Sequence, residues 1–227
     1  MNIPHLHDWN IAAAAAIALQ KQLAAQISFD TPLDLSAIRL VAGVDVSVRP
    51  DAGGVDQSRA AVVVLEFPSM RAIETVKAEM PTPFPYIPGL LSFREGPVLE
   101  VAFGQLQTVP DVFIFDGMGR AHPRRIGIAA HMGLWLQKPT IGCGKTLLIG
   151  RYTEPPHERG AYAEMVDKKE IIGAALRTRA TAKVVYISPG HLCDLASAVA
   201  ITMACTGKYR LPEPIRAAHN AAGTAGE

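Results

Sequence analysis

Two carboxylates sit where β-strands are expected to be apolar. In residues 39–48, alternation places Leu40, Ala42, Val44, Val46 and Val48 on one face, with Val41, Gly43, Asp45 and Ser47 on the other, so Asp45 stands in mid-strand. Residues 112–115, Val-Phe-Ile-Phe, are continuously apolar, as in a buried parallel strand, and end in Asp116-Gly117. Singly, each acid has an ordinary explanation: Asp-Gly is a common turn pair, and Asp45 could face water. Together on one sheet they form the skeleton of a divalent-cation site. Mg²⁺ favours carboxylate and water oxygens and keeps positions open for a substrate phosphate.

Cationic groups stand near these acids in the chain. Lys145 follows a short strand in Gly142-Cys143-Gly144-Lys145-Thr146. A phosphate-binding loop of the NTPase type needs a glycine five positions before Gly144, and Pro139 is there instead, which argues against that class. Lys145 suits a fixed positive charge set against a scissile phosphate. His122 precedes Pro123-Arg124-Arg125 at an expected helix start, where it reads either as a capping or packing histidine or as a catalytic one. Arg120, Arg124 and Arg125 make a local basic patch. Glu95, at the end of a proline-rich stretch, reads equally as an acid favoured by a helix N-terminus.

The elements that must position these groups follow from periodicity. Asp8 is expected to cap a helix over residues 8–28, with Ile11, Leu19, Leu23 and Ile27 as its apolar stripe. Strands over 39–48, 59–67 and 70–80, separated by turn signals at 50–54 and 68–69, predict antiparallel hairpins. Residues 81–97 hold Pro81, Pro83, Pro85, Pro88 and Pro97, which predicts a stiff exposed loop suited to a rigid probe. Helices over 98–106 and 123–136 alternate with strands at 111–116 and 140–142, and a strand at 183–188 precedes a helix over 191–206. That rhythm predicts βα units with parallel strands. The whole is an α/β mixed sheet, three antiparallel strands and then βα units, flanked by helices. One domain over 1–227 is expected, with a Gly/Ala tail fraying from about 217.

Composition narrows the class. With 227 residues and 49% hydrophobic content, the chain can bury one sizeable core. A net charge of +1 argues against a molecule that attracts polyanions over its whole surface, so any nucleic-acid site must be local. Three cysteines without CxxC spacing suggest neither a disulfide framework nor a zinc site, and a reduced, cytoplasmic setting is expected. The longest apolar run, 11–19, is too short to span a bilayer, and no membrane or obligate protein partner is expected.

Several ordered segments resemble the endonuclease V family: Val-Ala-Gly-Val-Asp-Val-Ser at 41–47, Pro-Tyr-Ile-Pro-Gly-Leu-Leu-Ser-Phe-Arg-Glu-Gly-Pro at 85–97, Asp-Gly-Met-Gly-Arg-Ala-His-Pro-Arg-Arg at 116–125, Ile-Gly-Cys-Gly-Lys at 141–145 and Ser-Pro-Gly-His at 188–191. A late Tyr-Arg-Leu-Pro-Glu-Pro run at 209–214 extends the match. The resemblance implies an RNase H-like fold. It also implies hydrolysis of the second phosphodiester bond 3′ to deoxyinosine, leaving a 3′-hydroxyl and a 5′-phosphate, with Mg²⁺ as cofactor and Mn²⁺ as its substitute. Transferred by position, Asp45, Asp116 and Glu95 would be metal ligands, and Lys145 and His122 would serve the phosphate and the proton transfers. Tyr86 would be a wedge against inosine-containing DNA, contacted also by Pro88, Gly89, Gly119, Arg124, Arg125 and Gly127. Glycines such as Gly89, Gly117, Gly119 and Gly127 would let backbone amides approach a flipped base.

The chain departs from the family in one place. An acid is usual five positions after the histidine matched by His191, and Ala196 stands there. Asp194 is the nearby acid that would complete the cluster if its helix began late, and His191 would support the ligands from outside their set. Two rival readings differ from the first: an endoribonuclease of the same family acting on inosine in RNA, and a non-catalytic RNase H-like nucleic-acid-binding module. The presence of Asp45, Glu95 and Asp116 argues against the second, because clustered carboxylates are costly without a cation.

Overall fold

The computed structural model describes residues 4–223. Eight strands form one sheet in the order β3-β2-β1-β4-β5-β8-β7-β6. The first three are the expected meander: β1 (Leu40–Pro50), β2 (Asp56–Glu66) and β3 (Ala72–Pro81) pair antiparallel. β4 (Val112–Phe115) then lies parallel to β1, and β5 (Thr140–Gly144) parallel to β4. A three-strand meander followed by parallel βα units is an α/β fold of the RNase H-like kind.

The far half of the sheet differs from expectation. β6 (Tyr162–Asp167) and β7 (Glu170–Leu176) form a hairpin that the turn signals did not announce. Its two turn residues, Lys168 and Lys169, take φ of 52° and 68°, positions usually given to Asn or Gly. β8 (Val185–Pro189) runs antiparallel to β5 rather than parallel. Its end therefore lies at the start of β5, with Pro189 opposite Ile141.

Helices cover both faces. α2 (Leu91–Gln105) and α3 (Ile128–Leu136) pack on the face formed by Ala42, Val44, Phe113 and Phe115. α4 (Leu195–Ala204) and α5 (Glu213–Gly223) cover the other, where Val41, Val112 and Ile114 are buried with Ile201 and Ile215. α5 lies so close to β1 that a Cβ on Gly43 would meet the Pro214 carbonyl oxygen at 1.9 Å. No described helix is long and apolar enough to cross a membrane.

Several boundaries move. α1 spans Ala13–Ala24, not 8–28, and Asp8 does not cap it. Residues before it lie as a strap over α2 and α3, with Trp9 stacked on Trp135 at 4.5 Å between ring centroids. α2 begins at Leu91, so residues 91–97, expected in the stiff loop, are helical and Pro97 is inside the helix. Burial of Phe93, Val98, Leu99 and Phe103 outweighs the lost hydrogen bond, a cost of about 3 kcal/mol. α3 starts at Ile128 rather than 123. The tail expected to fray from about 217 is helix through Gly223, and residues 224–227 lie outside the described part.

Candidate active site

Parallel pairing brings the two strand carboxylates together. Val44 is in register with Phe115, and the Asp116 amide donates to the Val44 carbonyl at 2.9 Å, so Asp45 and Asp116 stand side by side on adjacent strands. His219, on α5, completes the group: its Nδ1 lies 2.7 Å from Asp45 Oδ2. One ligand atom from each of Asp45, Asp116 and His219 lies within 4.8 Å of the others. Asp45 is buried, and this burial, joined by the negative charge of Asp116, raises its carboxyl above the usual range. His219 pulls the other way through its hydrogen bond. Two crowded carboxylates and an imidazole form a donor set that fits a divalent cation.

Lys145 and Glu95 flank this group. Lys145, just past β5, makes an ion pair with Asp116 while remaining about a third exposed. Glu95 comes from the second turn of α2, on the other side of the sheet. Protein surrounds its carboxyl although part of the residue remains accessible to solvent. Desolvation first, then repulsion from Asp45 and Asp116, holds it well above the ordinary carboxylate range. Its oxygens are not in the tight three-residue group, so Glu95 stands beside the candidate metal ligands, not among them.

A pocket of about 440 Å³ adjoins the acids and shares Asp116 and Lys145 with them. The loop 86–89, the turn at 117–118 and Leu147-Leu148 form its walls. Tyr86 stands at its edge, 71% exposed, as a rigid probe would. Gly89 turns the loop at φ +80°, and its carbonyl accepts hydrogen bonds from His122 Nε2 at 3.0 Å and from the Arg124 guanidinium at 2.6 Å.

These contacts revise several expected roles. His122 Nδ1 accepts from the Arg124 amide at 3.2 Å, so both ring nitrogens serve backbone groups. Burial and the neighbouring Arg124 bring its pKa down to about 4, and the two hydrogen bonds tie the 86–89 loop to the residues that follow Asp116. Arg124 also binds Gln20, and Arg125 pairs with Asp167 and Glu170 of the unforeseen hairpin. Both arginines thus hold protein segments together, and neither presents a free guanidinium to phosphate. The Gly119 amide donates to Ser188 Oγ and the Gly127 amide to the Gly119 carbonyl, so neither is open to a base.

The residues after β8 lie away from the acids. Because β8 is antiparallel, His191 reaches the start of β5, where its carbonyl accepts from the Thr140 amide and its ring from the Ser28 amide. Asp194 caps α4, accepting from the Ser197 amide at 2.7 Å, and Ala196 is exposed. The position emptied by Ala196 does not face the cation group, whose third member comes from α5. Sequence reasoning missed His219 because its surroundings, Ala-Ala-His-Asn-Ala-Ala-Gly, were read as a fraying tail. The signal available was the apolar spacing of Ile215, Ala218 and Ala222, which places His219 one residue from a buried face.

Comparison with known proteins identifies the family and the fold. The endonuclease V family model matches residues 21–220. Endonuclease V of Methanothrix thermoacetophila is 45% identical over 94% of this chain and 92% of its own length. That of Kosmotoga olearia is 44% identical over 96% and 94%. Among solved structures, endonuclease V of Bacillus subtilis superposes with a TM-score of 0.94 at 32% identity, covering 98% of this chain and 95% of that one. Endonuclease V of Ciona intestinalis, in complex with a 24-mer DNA containing an inosine followed by a ribo-adenosine, gives 0.77 at 26% identity over 92% and 95%.

Proposed function

We propose that this chain, which belongs to the endonuclease V family, cuts DNA at deoxyinosine, hydrolysing the second phosphodiester bond 3′ to the lesion and leaving a 3′-hydroxyl and a 5′-phosphate. Membership makes it an endonuclease, a hydrolase of DNA repair. The observation that carries the finer reading is the pocket of about 440 Å³ that shares Asp116 and Lys145 with the acidic group. A base turned out of the stack enters the pocket, and the strand beside it passes the acids.

Asp45, Asp116 and His219 would hold Mg²⁺, or Mn²⁺ in its place. The bound ion would offset negative charge that accumulates on the phosphate oxygens during hydrolysis. Lys145 adds a positive charge already oriented by Asp116, which costs no reorganisation at the moment of reaction. Glu95, its carboxyl raised first by burial and then by Asp45 and Asp116, stands beside the group as an acid whose oxygens can take up or give up a proton. His219 Nδ1 orients the Asp45 carboxylate, and His122 fixes the loop that carries Tyr86.

Cleavage assays and two variants bear on this reading. An end-labelled duplex with one deoxyinosine, incubated with Mg²⁺ or with chelator, should be cut only with metal and at the second bond. Absence of a metal-dependent product would end the proposal. A parallel substrate with a ribo-adenosine after the inosine, and an inosine RNA, tests the ribonuclease reading suggested by the ligand of the Ciona protein.

Tyr86→Ala should reduce preference for inosine over normal DNA roughly 10-fold while leaving salt-dependent non-specific binding unchanged, because stacking is worth about 1–3 kcal/mol per base. Full lesion preference in this variant would remove the wedge role. Asp194→Ala should lower thermal stability by about 1 kcal/mol through loss of the helix cap. The Mg²⁺ concentration for half-maximal cleavage should not move; an increase would place Asp194 back among the groups that serve the metal.

A further inference from the structure

One buried hydroxyl in the pocket wall ends a chain of hydrogen bonds that begins in the N-terminal strap. His7 Nδ1 lies 3.0 Å from the Asp8 carbonyl oxygen, His7 Nε2 2.8 Å from His131 Nε2, and His131 Nδ1 2.8 Å from Ser92 Oγ. The direction of every proton follows from the first contact. A carbonyl only accepts, so His7 carries its proton on Nδ1 and its Nε2 is an acceptor. His131 must then donate from Nε2, which leaves its Nδ1 as an acceptor. Only the Ser92 hydroxyl proton can fill it.

This assignment requires neutral rings, and burial supplies them. His131 is fully buried with its pKa brought down to about 3, and desolvation lowers His7 below its ordinary value. Ser92 is 1% exposed, lines the pocket, and makes no other hydrogen bond through Oγ among the described residues. With its proton committed to His131, Ser92 Oγ can only accept.

We propose that Ser92 Oγ accepts a hydrogen bond from the ring N1–H of the base held in this pocket and so selects a lactam purine over one whose N1 is a lone pair. This rests on the reading that the pocket receives hypoxanthine. Hypoxanthine carries a proton on N1, whereas adenine and unsubstituted purine present a lone pair there, setting acceptor against acceptor at Ser92. Guanine also has N1–H, so this contact does not exclude it. Ser92 thus supplies a side-chain reading of one ring edge, and His7 acts as a positioning residue through His131.

The test compares cleavage of duplexes carrying hypoxanthine or unsubstituted purine at one position, for the full chain and for Ser92→Ala and His7→Ala. In Ser92→Ala the hypoxanthine-to-purine ratio of kcat/KM should fall roughly 10-fold, the size of one neutral hydrogen bond, mostly through loss on hypoxanthine. His7→Ala, which frees the His131 tautomer, should lower the ratio by a smaller factor. Should Ser92→Ala not fold, Ser92→Cys, similar in size but a weak acceptor, should give the same fall. A native chain that cuts the hypoxanthine duplex, with the ratio unchanged in the Ser92 variants, would overturn the Ser92 assignment alone. An unchanged ratio in His7→Ala would overturn the relay. Failure of the native chain to cut that duplex would overturn the functional reading itself and this inference with it.

Discussion

Asp45→Asn is expected to lose metal-dependent cleavage by at least about 100-fold and yet to melt at a higher temperature than the native chain when no metal is present. Both effects come from one cause. Asp45 is buried beside Asp116, so its charged form is disfavoured in the folded state and its pKa is raised. An acid raised by folding leaves the protein most stable below the ordinary carboxylate pKa. Stability is then lost as pH rises from there through the raised value. Asparagine removes this loss, so the gain is present at about pH 7 and absent well below the carboxylate range. A gain of about 1 kcal/mol corresponds to roughly 2–4 °C for a chain of this size.

Added Mg²⁺ should raise the melting temperature of the native chain and leave Asp45→Asn nearly unmoved, since a ligand stabilises only the state that binds it. Asp116→Asn should lose activity equally, but without the stability gain, because Lys145 then lacks its partner. Near-native cutting by Asp45→Asn would end its assignment as a ligand. An equal gain in melting temperature at both pH values would end the electrostatic account.

Lys145→Ala should lower kcat by about 100- to 1000-fold with little change in KM. Its charge, held by Asp116, acts on the phosphate as negative charge develops and not on the resting substrate. Binding of deoxyinosine duplex should persist, since Tyr86 and the pocket remain in place. Lys145→Arg should recover only part of the rate, because a planar fork does not reproduce a compact ammonium. If KM rose while kcat held, Lys145 would be a general phosphate contact.

The strand carboxylates were legible in the sequence because burial makes them anomalous. An Asp in mid-strand or at the end of Val-Phe-Ile-Phe conflicts with the pattern that defines the strand. The meander was legible from its turns, and the first parallel pairings from the alternation of strand and helix. The β6–β7 hairpin was not, because Lys168-Lys169 carries none of the residues that usually signal positive φ. The direction of β8 was hidden for the same reason: without the hairpin, a parallel crossover was the simpler reading. Pro97 concealed the start of α2, since tertiary packing overrode a local rule. Arg124 and Arg125 were legible as charge but not as structural ties, because their partners lie far away in the chain. His219 was hidden because the long-range pairing with Asp45, across 174 residues, leaves no local mark.

That pairing sets a condition on synthesis. The first strand of the sheet carries Asp45 and the last helix carries His219, so a growing chain can form the meander, β4 and β5 and gather both carboxylates before the imidazole that joins them exists. Until Glu213–Gly223 docks over Gly43, the α5 side of β1 and β2, with Val63 and Leu65, has no cover. A chain cut short before residue 213 would therefore keep Asp45, Asp116, Lys145 and the pocket while lacking His219, and would expose an apolar strip at the sheet's most regular pairing. Such a product is expected to associate with itself or be degraded rather than persist as a weakened nuclease.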